Sequence, residues 1–157
     1  MKTLARIGVI IVGMVFAHAS FAQDMVSVAN PMQLANVIQE LGYRARLDMD
    51  GIGDPIIYSS VSGTDFSIQF YGCDDDSTNC KVLLFKVGYD LADGTNLKAV
   101  NSWNEKALIG RAFIDAERDP WLEWAVNTLG GVSRESFEDT YDWWEVTVNN
   151  FESEFFN

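Results

Sequence analysis

Histidine is almost absent from this chain of 157 residues: it occurs once, as His18, within a stretch typical of a removable leader. Without that residue, catalytic triads of the Ser-His-Asp or Cys-His kind are excluded. Zinc, copper and iron sites that need histidine ligands are excluded with them. The sequence also lacks a phosphate-binding loop of the Gly-x-x-x-x-Gly-Lys type and a dinucleotide-binding fingerprint. We therefore predict no catalytic residue, no metal site and no cofactor.

Basic residues are scarce as well. The chain has 11 Lys and Arg against 23 Asp and Glu, which gives a formal net charge of −12. Phosphate binding needs clustered Lys and Arg, so neither nucleic acid nor an anionic lipid surface is predicted as a partner. The acidic excess keeps the protein soluble, which is enough to account for it. The alternative is that it attracts a basic partner.

The first 22 residues have the layout of a secretory signal peptide. Lys2 and Arg6 precede an apolar run over residues 7–19, and Ser20-Phe21-Ala22 places small residues before a cleavage site between Ala22 and Gln23. The run is short for a membrane span of about 20 residues, although an uncleaved anchor is the alternative. We predict export to the periplasm, with secretion as the alternative, and no membrane insertion after cleavage. Residues 23–157 then form one domain of net charge −14.

Cysteine occurs only twice, as Cys73 and Cys80. In an oxidising compartment a nearby pair of cysteines usually forms a disulfide. Strand-like residues precede Cys73 and follow Cys80, so the predicted bond closes the end of a β-hairpin. A redox-catalytic pair normally has the tighter Cys-x-x-Cys spacing beside the start of a helix, which this segment lacks.

The first half of the domain predicts one helix and four strands. Asn30 and Pro31 supply an N-cap and a first-turn proline, and apolar residues recur at helical spacing as far as Gly42. Beyond Gly42 the apolar period changes to two, which is typical of strands. The alternation predicts an antiparallel meander with strands over residues 43–49, 55–61, around 66–70 and 81–89.

The second half predicts a helix, two strands and a long final helix. The helix starts near Leu97 and contains Trp103, and the strands cover residues 108–115 and 120–129. Gly130-Gly131 then breaks the chain before a helix capped by Ser133. The element order α-β-β-β-β-α-β-β-α predicts the α+β class, with helices flanking a twisted antiparallel sheet.

Large aromatic side chains occupy two kinds of position. The final helix carries a three-four apolar stripe, which suits packing on a sheet; a coiled coil is the alternative, but fewer than four heptads are present. Trp143 and Phe156 lie outside that stripe, and Trp121 lies on the strand face opposite Leu122 and Trp124. Exposed aromatic clusters often mark contact surfaces, so Trp121, Trp143 and Phe156 are candidate contact residues, with core filling as the alternative.

Three segments carry a resemblance to a known family. They are Val-Asn-Ser-Trp-Asn, Gly-Arg-Ala-Phe-Ile-Asp and Leu-Gly-Gly-Val-Ser, and their shared residues are Asn101, Trp103, Asn104, Gly110, Arg111, Gly130 and Gly131. Together, and in this order of elements, they resemble the YbjN-domain family of bacteria, whose label describes sensory transduction regulators. We expect structural roles for these residues: backbone bonding by the asparagines, a core anchor at Trp103, and turns or close packing at the glycines.

The resemblance implies a fold similar to that of the type III secretion chaperones, which are small, acidic, usually dimeric and not enzymes. It therefore implies a non-enzymatic binding or regulatory module that contacts a protein partner or a second copy of itself as a homodimer. Secretion chaperones act in the cytoplasm, whereas this chain carries a predicted leader, so the architecture is what we expect to transfer.

Two other functions are compatible with the composition. Paired carboxylates could hydrolyse cell-envelope glycans if a cleft held two of them about 5–10 Å apart. A calcium-binding structural domain could use the acidic turns at residues 48–54 and 74–76, although neither matches the full loop pattern. Turn chemistry accounts for Asp and Gly in both segments.

Overall fold

The computed structural model describes residues 24–156. The predicted signal peptide, its cleavage site at Ala22 and Gln23, and Asn157 lie outside the described residues. The elements in chain order are β1 (Met25–Val26), α1 (Pro31–Glu40), β2 (Ala45–Met49), β3 (Pro55–Val61), β4 (Thr64–Tyr71), β5 (Val82–Gly88), α2 (Leu97–Lys106), β6 (Arg111–Ile114), β7 (Pro120–Asn127), β8 (Val132–Ser133) and α3 (Arg134–Phe156).

Six of these strands form one antiparallel sheet in the order β2-β3-β4-β5-β7-β6, and β1 pairs with β8 in a separate two-stranded ribbon. The four strands β2 to β5 are sequential neighbours, as the predicted meander requires. β7 then pairs with β5, and β6 forms the far edge. The predicted α+β fold is confirmed.

Details of the strands differ from the sequence-based prediction. The short ribbon of β1 and β8 was not predicted, because two-residue strands leave no periodic signal. β6 covers only Arg111–Ile114 rather than residues 108–115, since the segment before it leaves the sheet and runs beside α3. β7 ends at Asn127 rather than at 129. Met49 is exposed because it ends the edge strand β2.

All three helices pack on one face of the sheet, and their buried side chains join a single core cluster with the inward-facing strand residues. The predicted stripe of α3 supplies its centre: Tyr141 and Trp144 are fully buried. Their rings contact Phe66 and Phe85 from β4 and β5 at centroid distances of 5.5 to 6.1 Å. α3 is therefore a helix laid on a sheet, and the large aromatic rings fill the gap between the two layers.

The helices begin where side chains can cap them. Asn30 accepts a hydrogen bond from the backbone N–H of Gln33 at 3.2 Å, and Asn96 accepts one from Ala99 at 3.0 Å. The Ser133 hydroxyl accepts one from Ser136 at 3.1 Å. Each cap satisfies a backbone donor that the first helical turn leaves without a partner. None of the helices between residues 24 and 156 is long and apolar enough to cross a bilayer.

Candidate binding surfaces

The short connection between α2 and β6 is held by one asparagine. The Asn104 side chain donates to the Ala112 carbonyl at 3.0 Å and accepts from the Ala112 N–H at 2.8 Å. Asn104 thus mimics a neighbouring strand at an edge that would otherwise be unpaired. Trp103, one residue earlier, is 6% exposed and meets Phe151 of α3 edge-on at 5.2 Å. These two residues fix α2 against both the sheet and α3.

Gly110 brings the connection close to α3. Its φ of +81° lies in the left-handed region, and a β-carbon there would lie 3.2 Å from a methyl carbon of Leu122 and 3.4 Å from that of Thr147. A larger residue would be strained in its backbone and crowded from two sides. The glycine therefore lets the segment of residues 107–110 run beside α3 rather than continue the strand.

A groove of about 390 Å³ lies between this segment and α3. Its rim carries exposed apolar side chains: Leu108 is 81% exposed, Val146 47% and Trp143 42%. Buried Trp103 and Thr147 also line the groove, and the ion pair of Lys106 with Glu154, at 3.0 Å, borders it. Contiguous exposed apolar groups of this kind mark interaction sites on soluble domains. We call these lining residues the α2–α3 groove.

The three aromatic contact candidates from the sequence do not come together. Only Trp143 lines the α2–α3 groove. Phe156 is 39% exposed at the end of α3, where its ring packs on Tyr89 at 4.8 Å. Trp121 lies on the other side of the sheet and donates from its indole to Asp115 at 2.9 Å. Sequence reasoning missed Leu108 and Val146, although Val146 stands three residues after Trp143 and therefore shares its helix face.

The face of the sheet opposite the helices forms a second distinct surface, which we call the open face. One register row crosses all six strands and consists of Arg46, Tyr58, Ser67, Lys86, Glu123 and Arg111. The cations lie over aromatic rings: Arg46 is 4.6 Å from the Tyr58 centroid, and Lys86 is 4.8 Å from that of Trp121. Such contacts hold long cationic side chains on the sheet surface.

The remaining family-motif residues have local roles. Gly130 and Gly131 have φ values of +85° and +87° in the turn between β7 and β8. Arg111, whose side chain is exposed, forms an ion pair with the mostly buried Glu123 across β6 and β7. Asn101 is exposed on α2, and its side chain makes no hydrogen bond with any residue in the described range.

The disulfide between Cys73 and Cys80 is present. It joins the two ends of the loop that connects β4 to β5. The segment that it closes folds against the acidic turn after β2, where the Ser77 hydroxyl donates to an Asp54 carboxylate oxygen at 3.0 Å. The two acidic turns weighed as alternatives for calcium binding use carboxylates internally: Asp50 accepts from the backbone of Ile52 and Asp54, and Asp76 accepts from Thr78. Across residues 24–156, no three acidic, Cys or His side chains are grouped as a metal site.

Two glutamates of α3 accept hydrogen bonds from hydroxyl groups of the sheet side. Glu145 accepts from Tyr43 at 3.2 Å and from Ser62 at 2.6 Å. Glu152 accepts from Thr64 at 2.5 Å and from Tyr89 at 3.1 Å. Burial, reinforced by the Glu145 charge, raises the pKa of Tyr43 to about 12. Burial beside Glu152 raises the pKa of Tyr89 as well. Both carboxylates thus fasten α3 to the sheet, which is a structural use.

These features define a class of protein: a small acidic α+β domain that presents an apolar groove on its helical side and a cationic, aromatic sheet face on the other. The family model for YbjN, described as "Putative bacterial sensory transduction regulator", matches residues 30–157. The chain belongs to this family, which confirms the resemblance carried by its Trp-Asn, Gly-Arg and Gly-Gly segments. A search of the curated proteins finds no match to the chain.

Proposed function

We propose that this protein is an exported, non-enzymatic regulatory module that acts by binding a segment of another protein in the α2–α3 groove. The observation that carries the proposal is the side-by-side exposure of Leu108, Trp143 and Val146 in one groove. The description of the family as regulatory agrees with a binding role. Export rests on the predicted leader, and the disulfide fits an oxidising compartment such as the periplasm.

The groove is built by the same residues that carry the family resemblance. Trp103 lines it, Asn104 ties the adjoining segment to β6, and Gly110 brings that segment beside α3. A groove held on such a framework is preformed, which lowers the entropic cost of binding. This link between motif and groove favours a role in binding over a purely structural one.

The chemistry of the groove indicates the kind of segment that it accepts. Apolar rim residues require apolar side chains from the partner, and a volume of about 390 Å³ accommodates a few of them. Exposed Asp139 and Asp142 precede Trp143 on α3, and residues 23–157 carry a net charge of −14. Charge complementarity therefore favours a segment in which basic residues flank the apolar ones.

Site-directed photo-crosslinking in the periplasm tests the proposal. A photoreactive side chain at position 108 is expected to crosslink to a partner, whereas one at position 52 is not. Ile52 is a matched control because it is 86% exposed and lies outside the groove. Crosslinks from position 108 only to a second copy of the chain would instead assign the groove to homodimerisation and contradict the proposal.

The captured partner is then purified and its affinity measured directly. We expect Leu108→Ser and Trp143→Ala each to weaken binding by about tenfold or more, because centrally buried apolar and aromatic groups dominate interface energies. Ile52→Ser should leave the affinity unchanged. Equal affinities for all three variants would show that the partner binds elsewhere and would contradict the groove assignment.

The carboxylate-enzyme and calcium alternatives have no comparable support. Glu145 and Glu152 are occupied by hydroxyl donors, and the acidic turns use their oxygens for backbone N–H groups. No observation on the described residues favours a glycan cleft or a cation site.

A further inference from the structure

We propose that the open face of the sheet binds a small organic anion that carries at least two carboxylate or phosphate groups. This site is separate from the α2–α3 groove, because the two lie on opposite sides of the sheet. Small-molecule binding there goes beyond the proposed protein contact and does not depend on it.

The first argument is the distribution of charge. Residues 23–157 contain only nine basic residues and carry a net charge of −14. Three of the nine, Arg44, Arg46 and Lys86, nevertheless line one depression on the open face, where Asp65 is the only carboxylate of the lining. A cationic depression on a strongly acidic molecule is the place where an anion is least repelled and most attracted.

The second argument concerns the partners of these cations. Arg44 pairs with Asp65 and Arg46 with Asp48, in ion pairs whose side chains are largely exposed. Exposed pairs of this kind contribute little net free energy, so an incoming anion can exchange with them. Lys86 has no carboxylate within 4.0 Å among residues 24–156, and its ammonium group lies over the Trp121 ring. The ammonium group thus has hydrogen-bond donors available for a ligand.

The third argument is shape. The depression measures about 510 Å³, within the usual range of small-molecule sites. Its lining includes the small residues Ser67 and Gly88, and the longer Tyr58 and Lys86 rise beside them. Gly88 must remain small, because a β-carbon there would lie 2.6 Å from the Trp121 ring. Arg46 and Lys86 are three strand spacings apart, or about 14 Å. The Lys86 side chain leans toward Trp121 of β7, so it must swing back across β5 to share a doubly charged ligand with Arg46.

Nuclear magnetic resonance titration of the oxidised protein at low salt tests the site. Citrate and pyrophosphate are the anionic probes, because each carries at least two of the required groups, and glycerol is the neutral control. We expect saturable shifts of the backbone amides at Tyr58, Ser67 and Lys86 with at least one anion and none with glycerol. Tighter binding of citrate would assign a polycarboxylate ligand, and tighter binding of pyrophosphate would assign a ligand with two phosphate groups.

Two charge-matched variants decide whether the site is specific. Lys86→Gln should weaken anion binding by about tenfold, because it removes a charge-assisted hydrogen bond in a partly enclosed site. Lys98→Gln removes the same charge from an exposed position on α2 and should have little effect. The indole resonance of Trp144, which is fully buried in the core between α3 and the sheet, reports whether the Lys86→Gln variant retains its fold.

Several outcomes would overturn the proposal. They are the absence of saturable shifts up to about 10 mM anion, shifts confined to residues outside the open face, and equal weakening in both lysine variants. Self-association that is lost in Lys86→Gln, without any anion binding, would also overturn it and identify the open face as an interface between two copies of the chain.

Discussion

At the scale of residues, one side chain completes the hydrogen bonding at the far edge of the sheet. β6 is an edge strand of four residues, and the side chain of Asn104 supplies two hydrogen bonds to the backbone of Ala112 within it. No other strand of the described residues pairs with this outer edge of β6. An unpaired N–H and C=O at that depth would each lose hydration without gaining a partner.

Replacing Asn104 by Ala should therefore lower the free energy of unfolding by about 1–3 kcal/mol, since the Ala112 backbone then loses both of its hydrogen bonds to this side chain. Urea denaturation of the oxidised protein measures this change. Asn101→Ala is the matched control, because Asn101 is exposed on the same helix, and we expect a change within about 0.5 kcal/mol. If both variants lost the same stability, the loss could not be assigned to the bonds between Asn104 and Ala112, because the change to Ala by itself favours the helix.

The sequence predicts some residues of the candidate sites but not others. Trp103, Asn104 and Gly110 were expected to have structural roles, and the structure places them around the α2–α3 groove. Trp143 was named as a contact candidate, but its groove neighbour Leu108 was not. The sequence pattern places Leu108 in a strand, where side chains point alternately into the core and into solvent. It is exposed because Gly110 takes the chain out of the sheet, a feature that local periodicity does not encode.

At the scale of elements, the β4–β5 hairpin is the one that depends on a covalent link. The connection of residues 72–81 is long for a hairpin and is rich in Asp, Ser and Asn, which favour turns rather than a packed core. The bond between Cys73 and Cys80 closes a loop with a sequence separation of 7. It restricts the loop in the unfolded chain as well as in the folded one.

The double variant Cys73→Ala with Cys80→Ala should be less stable than the oxidised protein by about 2–3 kcal/mol on the chain-entropy model. The midpoint of urea denaturation measures the loss. Adding a reductant should destabilise the natural protein by a similar amount and leave the double variant unchanged. A reductant effect that persists in the double variant would mean that the loss does not come from this bond.

The helices were predicted well because each one carries strong local signals. Asn30, Pro31 and the apolar spacing of α1 mark its start and its buried face, and Ser133 and a three-four stripe do the same for α3. The ribbon of β1 and β8 was missed for the opposite reason. Its pairing joins Val26 to Val132 across most of the chain, and no local pattern specifies such a contact.

At the scale of the whole molecule, α3 is joined to the sheet by both apolar packing and polar contacts between residues far apart in sequence. Tyr43 and Glu145 are separated by 102 positions, and the hydrogen bond between them exists only in the folded protein. Burial and the Glu145 charge disfavour ionisation of the Tyr43 phenol, which is why its pKa is raised to about 12 from an ordinary value of 10.0.

The raised pKa predicts a loss of stability in alkaline solution. Since the folded state holds this proton more tightly than the unfolded state does, the contribution of Tyr43 is complete below pH 10 and falls between about pH 10 and 12. Denaturation curves recorded at several pH values across this interval measure the free energy of unfolding. It should fall less steeply with rising pH for Tyr43→Phe than for the natural protein. An identical decline in both would show that Tyr43 ionises equally in the two states.

The sequence by itself determined the family, the α+β class, the order of the principal elements and the cysteine pair, because each depends on local periodicity, caps, turns or short motifs. The tertiary structure decided which exposed groups became neighbours. It separated Trp121 and Phe156 from Trp143, joined Trp143 to Leu108 and Val146, and aligned Lys86 with Arg46 and Tyr58 in one row. The physical reason is that the binding surfaces depend on strand register and helix placement, which are fixed by packing of the whole core rather than by neighbours in the chain.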